Sequence, residues 1–210
     1  MIIKLEGHIP HMDKPSIYGD SLPDMERVMK EILDKIEIIR EQITNQNGSD
    51  PIEHIRYRIK SEQSMRDKCI RRGLPENEHS ALREIHDAIG IRVVCSFISD
   101  VYQIKDYLTG LNNCEVFEEK DYIRKAKPNG YRSCHLILLY EDRYFVEIQL
   151  RTISMDVWAA LEHHLRYKKD IHGSIELISS ELKRCADELA STDLSMQTIR
   201  DMILGDNDES

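Results

Sequence analysis

KPNGYRSCHLILLY (residues 127–140) begins as a basic turn and ends as an apolar strand. Tyr131, Ser133 and His135 stand at alternate positions, so in a strand their side chains share one face. Leu136 and Leu138 then point to the opposite face, which predicts a sheet with one side in the core. Such a strand would not need polar residues for folding alone. The basic, aromatic and histidine residues at its start therefore raise the question of what its polar side binds.

Two further predicted strands carry polar residues at alternate positions. Arg58 and Lys60 share a face of the first, and Glu147, Gln149 and Arg151 share a face of the last. A carboxylate on an inner strand is costly unless it meets a cation, a metal ion or water. One such residue is often part of a structural ion pair. Three polar strand faces in one sheet favour a functional site.

The hydrophobic pattern restricts the hairpin formed by residues 132–139 and 144–151. The apolar side chains of both arms share one face only if directly opposed residue numbers sum to an even value. This requires a loop of odd length or a bulge, and it places His135 opposite or near Glu147. A plain two-residue turn would instead place Leu136 opposite Glu147. The pattern therefore predicts an odd loop.

Helical patterns lie on both sides of the strands. Residues 22–46 predict one helix, and Asp50-Pro51 predicts the start of a second, short helix that gives way to a strand. Thr152 can cap another helix, whose predicted core-facing residues are Met155, Trp158, Leu161 and Leu165. Residues 173–204 predict a long C-terminal helix with an apolar stripe formed by Ile178, Leu182, Cys185, Leu189, Met196, Ile199 and Ile203.

Together these patterns predict an α+β fold: a mixed, mostly antiparallel sheet of about five strands, flanked by helices and extended by helices at both ends. Residues 90–97 form a buried strand and residues 114–123 a weaker one. A chain of 210 residues suits one domain. We expect its core to span residues 50–170 and residues 205–210 to form a flexible acidic tail.

Composition excludes several classes of protein. The chain is 40% hydrophobic and 32% charged, as in soluble globular proteins. No apolar run approaches the roughly 20 residues that span a bilayer, so we expect no membrane insertion. Five scattered cysteines without a C-x-x-C pair favour reduced thiols in a cytoplasm and argue against a zinc site.

Charge is unevenly distributed along the chain. The formal net charge of −9 argues against a general nucleic-acid binder. Residues 51–73 nevertheless hold seven Lys/Arg against three acids. A second basic cluster consists of Lys120, Arg124, Lys125, Lys127 and Arg132. These clusters suggest a compact anionic ligand, although a solvated surface of mixed charge explains the charges alone equally well.

Four segments, in this order and spacing, resemble the synthetase domain of RelA/SpoT-type proteins, and most closely the stand-alone small alarmone synthetases: YRIKSEQSMRDK, IHDAIGIRVVCSFISD, KPNGYRSCHLIL and VEIQLRTISMDVWAALEHHLRYK. The resemblance covers residues 50–170 and implies a nucleotidyltransferase-like synthetase fold. It implies GTP pyrophosphokinase activity, the transfer of pyrophosphate from ATP to the 3′-hydroxyl of GTP or GDP. The products would be AMP and the alarmone (p)ppGpp of stringent-response signalling.

The resemblance also implies roles for individual residues. Asp87 would hold Mg²⁺, and Glu147 would accept the proton of the 3′-hydroxyl or help to hold the metal, with Gln149 as a further catalytic candidate. The implied ATP-binding residues are Arg58, Lys60, Lys68 and Arg92. The implied GTP- or GDP-binding residues are Lys127, Tyr131, Arg132, His135 and Glu162. Taken singly, each has an ordinary structural explanation, such as a surface ion pair or a core histidine.

Other interpretations stay open. His86-Asp87 suggests a metal-dependent hydrolase, but the further histidines of such a site are missing. A different nucleotidyltransferase, or a non-catalytic nucleotide- or RNA-binding regulator, is an alternative, and the presence of both Asp87 and Glu147 argues against loss of activity. Cys134 stands where the family usually has a larger residue, and by parity it faces away from the ligand. The sequence does not rank GMP, GDP and GTP as acceptors.

Self-association is expected, and the resemblance implies a homotetramer. The C-terminal stripe is longer than the N-terminal one and therefore leaves apolar surface for other subunits. In the alternative interpretation, the N-terminal stripe covers it within one chain. Whether (p)ppGpp or RNA regulates the protein is left open.

Overall fold

Five strands alternate irregularly with helices along the part of the chain that the structure describes. This structure is a computed structural model, and it describes residues 15–166 and 174–205. In chain order the elements are α1 (Leu22–Asn47), β1 (Ile52–Ile59), α2 (Glu62–Arg72), β2 (Ile89–Cys95), α3 (Ile98–Thr109), β3 (Cys114–Asp121), β4 (Cys134–Tyr140), β5 (Tyr144–Thr152), α4 (Ile153–Arg166) and α5 (Ile175–Gly205). A short π-helical turn, Ser80–Glu84, precedes β2.

The strands form one sheet in the order β1-β2-β5-β4-β3. Only β2 and β5 pair in parallel, and the other three pairs are antiparallel. The prediction of an α+β fold with a mixed, mostly antiparallel five-stranded sheet is confirmed.

The β4–β5 hairpin has the odd loop that the hydrophobic pattern requires. Residues 141–143 form a three-residue loop, Leu136 lies opposite Ile148, and His135 lies opposite Gln149. The apolar residues of both arms therefore share one face, and the polar residues share the other.

The apolar face of the sheet is covered by α1 and α3. Six residues of α1 are buried there: Met25, Val28, Ile32, Ile36, Ile39 and Ile43. They pack with apolar residues from the inner strands into one core. Because this stripe is used by the sheet, it does not cover the apolar stripe of α5, and that alternative interpretation is wrong.

Helix α5 packs instead against α4 and α3. Its stripe is only partly covered: Ile178, Leu182 and Leu189 are half-buried, whereas Met196 and Ile199 are about half exposed. Among the described segments, none of the helices combines the length and apolar content of a membrane span. The predicted acidic tail lies outside the described residues, apart from Gly205, which ends α5.

Two local predictions are wrong. No short helix starts at Pro51, because Asp50 Oδ1 accepts a hydrogen bond from the Ile52 amide at 3.0 Å and the chain turns directly into β1. Leu161 and Leu165 do not face the core and are 57% and 46% exposed. Only the first turns of α4 lie against the sheet, where its residues are buried.

Candidate active site

The polar face of the sheet is open at its centre. Strand register places Gly90 of β2 between Arg58 of β1 and Glu147 of β5. Because Gly90 has no side chain, the space between its two neighbours is left free. The resulting cleft has a volume of about 240 Å³, and the predicted site residues that line it are Arg58, Lys60, Asp87, Arg92, Glu147 and Gln149.

Asp87 is held by two lysines from different elements. Its Oδ2 accepts hydrogen bonds from Lys60 Nζ at 2.8 Å, just after β1, and from Lys68 Nζ at 2.5 Å, on α2. Ser61 caps α2 by accepting from the Ser64 amide, which fixes the helix start. Burial acts to raise the pKa of Asp87, but the two lysine hydrogen bonds outweigh it and hold the pKa below its usual value. Asp87 is therefore ionised at neutral pH.

The other oxygen of this carboxylate, Oδ1, is buried and has no hydrogen-bond partner among the described residues. A buried, unsatisfied carboxylate oxygen is costly unless a ligand meets it. No group of three or more metal-ligating side chains occurs in the described part of the chain. Mg²⁺ does not need one, because it is usually held by one or two carboxylates together with waters and substrate phosphates. The donor set therefore fits Mg²⁺ bound together with a phosphorylated ligand.

Glu147 is the second ionised carboxylate of the cleft. Burial acts to raise its pKa, but interaction with His135 outweighs this, so the pKa is lowered. His135 Nδ1 lies 3.6 Å from Glu147 Oε1, and Gln149 Nε2 donates to Oε2 at 3.0 Å. The charge of Asp87 opposes ionisation of Glu147, so the two carboxylates interact across the cleft. Glu147 can accept a proton or help to hold a cation.

The two arginines of the predicted ATP side differ in their surroundings. Arg58 is exposed at the rim, and within the described chain it forms no ion pair. Arg92 is half-buried and donates from Nη1 to Asp156 Oδ1 at 3.1 Å. Both strands present a planar guanidinium on the same face, where it can stack on a flat ring.

Aromatic and basic groups meet beside the cleft, where His135 lies next to Glu147, but the predicted residues Lys127, Tyr131 and His135 do not line the cleft itself. Tyr131 OH and His135 Nε2 are 2.8 Å apart, and Lys127 Nζ lies 4.9 Å from the centre of the Tyr131 ring. Tyr122, which the sequence did not single out, lies 4.3 Å from the same amine and 5.4 Å from the His135 ring. Its place on a weakly patterned strand end gave no signal beyond the basic cluster around it.

The other two predicted acceptor residues, Arg132 and Glu162, contact the loop before Tyr131 and do not line the cleft either. Arg132 turns toward α5, where it donates to the Ala186 carbonyl at 3.2 Å and to Asp187 at 2.9 Å. Glu162 of α4 accepts from Asn129 Nδ2 at 3.4 Å. Both thus hold the loop that precedes Tyr131.

Cys134 is buried on the core face, as parity predicts, and burial raises the pKa of its thiol to about 12. It is one of five free cysteines in the described chain. This thiol is therefore separated from the cleft by the sheet.

A cleft lined by two ionised carboxylates, a lysine and several arginines, with a tyrosine nearby, suits a phosphorylated, ring-containing ligand. Residues 57–172 match the family model described as a region found in RelA / SpoT proteins. The match covers more than half of the chain, and the chain belongs to the RelA/SpoT family.

Several members of that family are similar to this chain over most of its length. GTP pyrophosphokinase YwaC of Bacillus subtilis is 37% identical over 190 residues, which cover 85% of this chain and 90% of the relative. GTP pyrophosphokinase YjbM of the same organism is 32% identical over 182 residues, covering 83% and 84%. Small alarmone synthetase 1 from Bacillus subtilis, solved with its product pppGpp, matches with a TM-score of 0.76 at 30% identity over 88% of this chain and 96% of that one. Small alarmone synthetase 2 matches with a TM-score of 0.75 at 35% identity, over 87% of this chain and 98% of that one.

Proposed function

We propose that this protein is a GTP pyrophosphokinase that transfers pyrophosphate from ATP to the 3′-hydroxyl of GTP or GDP, forming (p)ppGpp and AMP. The observation that carries the proposal is the pair of ionised carboxylates, Asp87 and Glu147, in one cleft that also presents arginines, with His135 and Tyr131 beside Glu147. The named relatives, which match over most of their length, support the same reaction.

In the proposed reaction Glu147 is the general base. This carboxylate takes the proton of the acceptor 3′-hydroxyl while the hydroxyl oxygen bonds to the β-phosphorus of ATP. The bond between that phosphorus and the oxygen bridging to the α-phosphorus breaks, and AMP leaves with the electron pair. Gln149 and His135 hold the carboxylate, so that its lone pairs are already oriented before the substrates bind.

Lys60, Lys68 and Asp87 form the phosphate end of the donor site. Asp87 Oδ1 and the carboxylate of Glu147 would hold Mg²⁺. When bound, this ion supplies positive charge to the donor phosphates. The two lysines add positive charge from the opposite side of Asp87. A loosely bonded, highly charged transition state is stabilised by such positioned cations.

The adenine is assigned to the cleft and the guanine to the neighbouring group of residues around Tyr131. Arg58 and Arg92 would stack on the adenine, and Tyr131 on the guanine, with Lys127 and His135 near the acceptor phosphates. Direct contact of Arg132 and Glu162 with the acceptor remains a prediction, since the loop contacts already described offer both residues an indirect role.

We assign this activity to a single cytoplasmic domain that assembles as a homotetramer. Exposed apolar residues of the last two helices support self-association: Val157, Leu161, Leu165, Leu194, Ile199 and Met202. Light scattering at micromolar concentration tests the assembly. A mass near the 24.6 kDa of one chain would exclude self-association, and a dimer would exclude the tetramer alone.

The activity is tested by incubating the purified protein with ATP, Mg²⁺ and GMP, GDP or GTP in turn, and separating the nucleotides by anion exchange. We expect AMP and a guanosine product with two added phosphates in equal amounts, and no product when Mg²⁺ is chelated. Nucleotide binding without any turnover would support a regulator instead. Formation of ADP or free pyrophosphate without a guanosine product would support another transferase or a hydrolase.

A further inference from the structure

A buried carboxylate on α4 links an arginine that lines the cleft to the residues around Tyr131 beside it. Asp156 lies in the first turn of this helix, and its side chain is only 9% exposed. A single oxygen, Oδ1, accepts from Arg92 Nη1 at 3.1 Å and from Arg151 Nη1 at 3.0 Å. Arg92 belongs to the ATP side of the cleft. Arg151 is buried and lies beside Tyr131.

Arg151 also contacts Tyr131, the residue assigned to the acceptor. Its Nη2 donates to Tyr131 OH at 2.7 Å and to Gln149 Oε1 at 3.0 Å. Gln149 Oε1 also lies 3.5 Å from Arg92 Nη2. The guanidinium that contacts Tyr131 and the guanidinium assigned to adenine are therefore tied to the same carboxylate.

The charges make Asp156 central to this arrangement. Two buried or half-buried guanidiniums converge on one carboxylate, and both burial and the charge of Arg151 lower the pKa of Arg92. The imidazole of His54 lies 3.9 Å from the second oxygen, and its Nε2 is buried with no hydrogen-bond partner among the described residues. If the carboxylate lost its charge, the two cations would repel each other and both would shift.

We infer that Asp156 is a positioning residue that couples the donor site to the acceptor site through Arg92 and Arg151. This inference rests on the proposed function, which assigns Arg92 to ATP and Tyr131 to the guanine nucleotide. ATP that stacks on Arg92 fixes its guanidinium and thereby Asp156. The carboxylate then holds Arg151, which holds the hydroxyl of Tyr131. Each nucleotide accordingly prepares the site of the other, and the coupling is reciprocal.

Isothermal titration calorimetry on the full chain tests the coupling without turnover. α,β-Methylene-ATP and GDP are titrated with Mg²⁺, each alone and with the other nucleotide saturating. In the unchanged protein we expect each nucleotide to tighten the other by about five-fold or more. In Asp156→Asn we expect both affinities to fall by about ten-fold and the coupling factor to fall toward one.

Two further variants separate positioning from a loss of folding. Arg151→Lys keeps a buried cation but loses the fork that reaches Asp156 and Tyr131 together, so it is expected to lose the coupling as well. Asp100→Asn is the matched control, since Asp100 is also a buried aspartate paired with an arginine, Arg200, at 2.6 Å and away from the cleft. It is expected to lower the thermal midpoint and leave both affinities and the coupling unchanged.

Unchanged coupling in Asp156→Asn, or a loss of affinity for only one of the two nucleotides, overturns the inference while the activity assay still supports the proposed function. A coupling factor of one in the unchanged protein overturns it too. Equal effects of Asp100→Asn and Asp156→Asn on binding show a merely structural role. If the unchanged protein binds neither nucleotide, the proposed function itself fails.

Discussion

Replacing Asp87 with asparagine removes the charge on which Lys60 and Lys68 converge, while the shape of the side chain is kept. Hydrogen bonds to a charged group contribute about 1.5–3 kcal/mol each in favourable cases. The two lysine side chains are still 15% and 21% exposed, so water replaces part of the lost interaction. We expect a net decrease of about 2 kcal/mol in the free energy of unfolding at neutral pH.

This decrease depends on pH in a defined direction. The folded-state pKa of Asp87 is lowered, so its charge stabilises the fold fully above the ordinary carboxyl pKa of about 3.9. The stabilisation is lost as the pH falls through the lower, folded-state value. The stability difference between the native protein and Asp87→Asn is therefore expected to be constant near neutrality and to shrink only in acid.

Activity is expected to decrease more than stability. Asp87 Oδ1 is the unpaired oxygen assigned to Mg²⁺, and loss of such a ligand typically reduces kcat/KM by a factor of about 100 or more, or about 2.7 kcal/mol. Initial rates over a range of Mg²⁺ concentrations are to be compared with thermal unfolding. Asp67→Asn is the control, because Asp67 lies beside Lys68 but its carboxylate is exposed and accepts from Gln63. Turnover close to that of the native protein at millimolar Mg²⁺ would refute the role assigned to Asp87.

Three further substitutions test other parts of the site. Glu147→Gln is expected to lower kcat at least about 100-fold with the fold intact. Because the pKa of Glu147 is lowered, the rate of the native protein is expected to fall in acid only below the ordinary carboxyl pKa of about 4.3. A fall in rate near pH 6 that is absent in Glu147→Gln would contradict this. Tyr131→Ala is expected to weaken acceptor binding by about 1–3 kcal/mol in calorimetry and ATP-analogue binding far less, and equal losses contradict the assignment. Gly130→Ala is expected to lower the free energy of unfolding by about 1–3 kcal/mol. Gly130 has φ +91°, and a Cβ there would lie 2.6 Å from Ala186 Cβ. An unchanged midpoint of urea unfolding would contradict this.

The strands and the parity of the hairpin were predictable from local pattern. Period-two alternation decides which side of a strand faces the core, and the requirement that Leu136 and Ile148 share that side determines the odd loop. The same alternation placed His135 near Glu147. These features depend only on residues close in sequence and on the burial of one face of the sheet. They can therefore be predicted from the sequence.

Contacts between distant elements were not predictable in this way. The resemblance assigns Arg132 to the acceptor, and no local pattern indicates its contacts with α5, more than 50 residues later. Leu161 and Leu165 have core-like spacing, yet only the start of α4 reaches the sheet. Asp156 was missed because an acid in the first turn of a helix is ordinarily explained by the helix dipole.

The fate of the β-phosphate of ATP tests the proposed reaction most directly. ATP labelled with ³²P at the β-position is to be incubated with the protein, Mg²⁺ and either GDP or 3′-deoxy-GDP, and the labelled species are then separated. We expect the label to move to the guanosine product with GDP, to be absent from AMP, and to stay in ATP with 3′-deoxy-GDP. Label recovered in ADP or in inorganic pyrophosphate, or transfer to the acceptor without a 3′-hydroxyl, would contradict pyrophosphate transfer at this site.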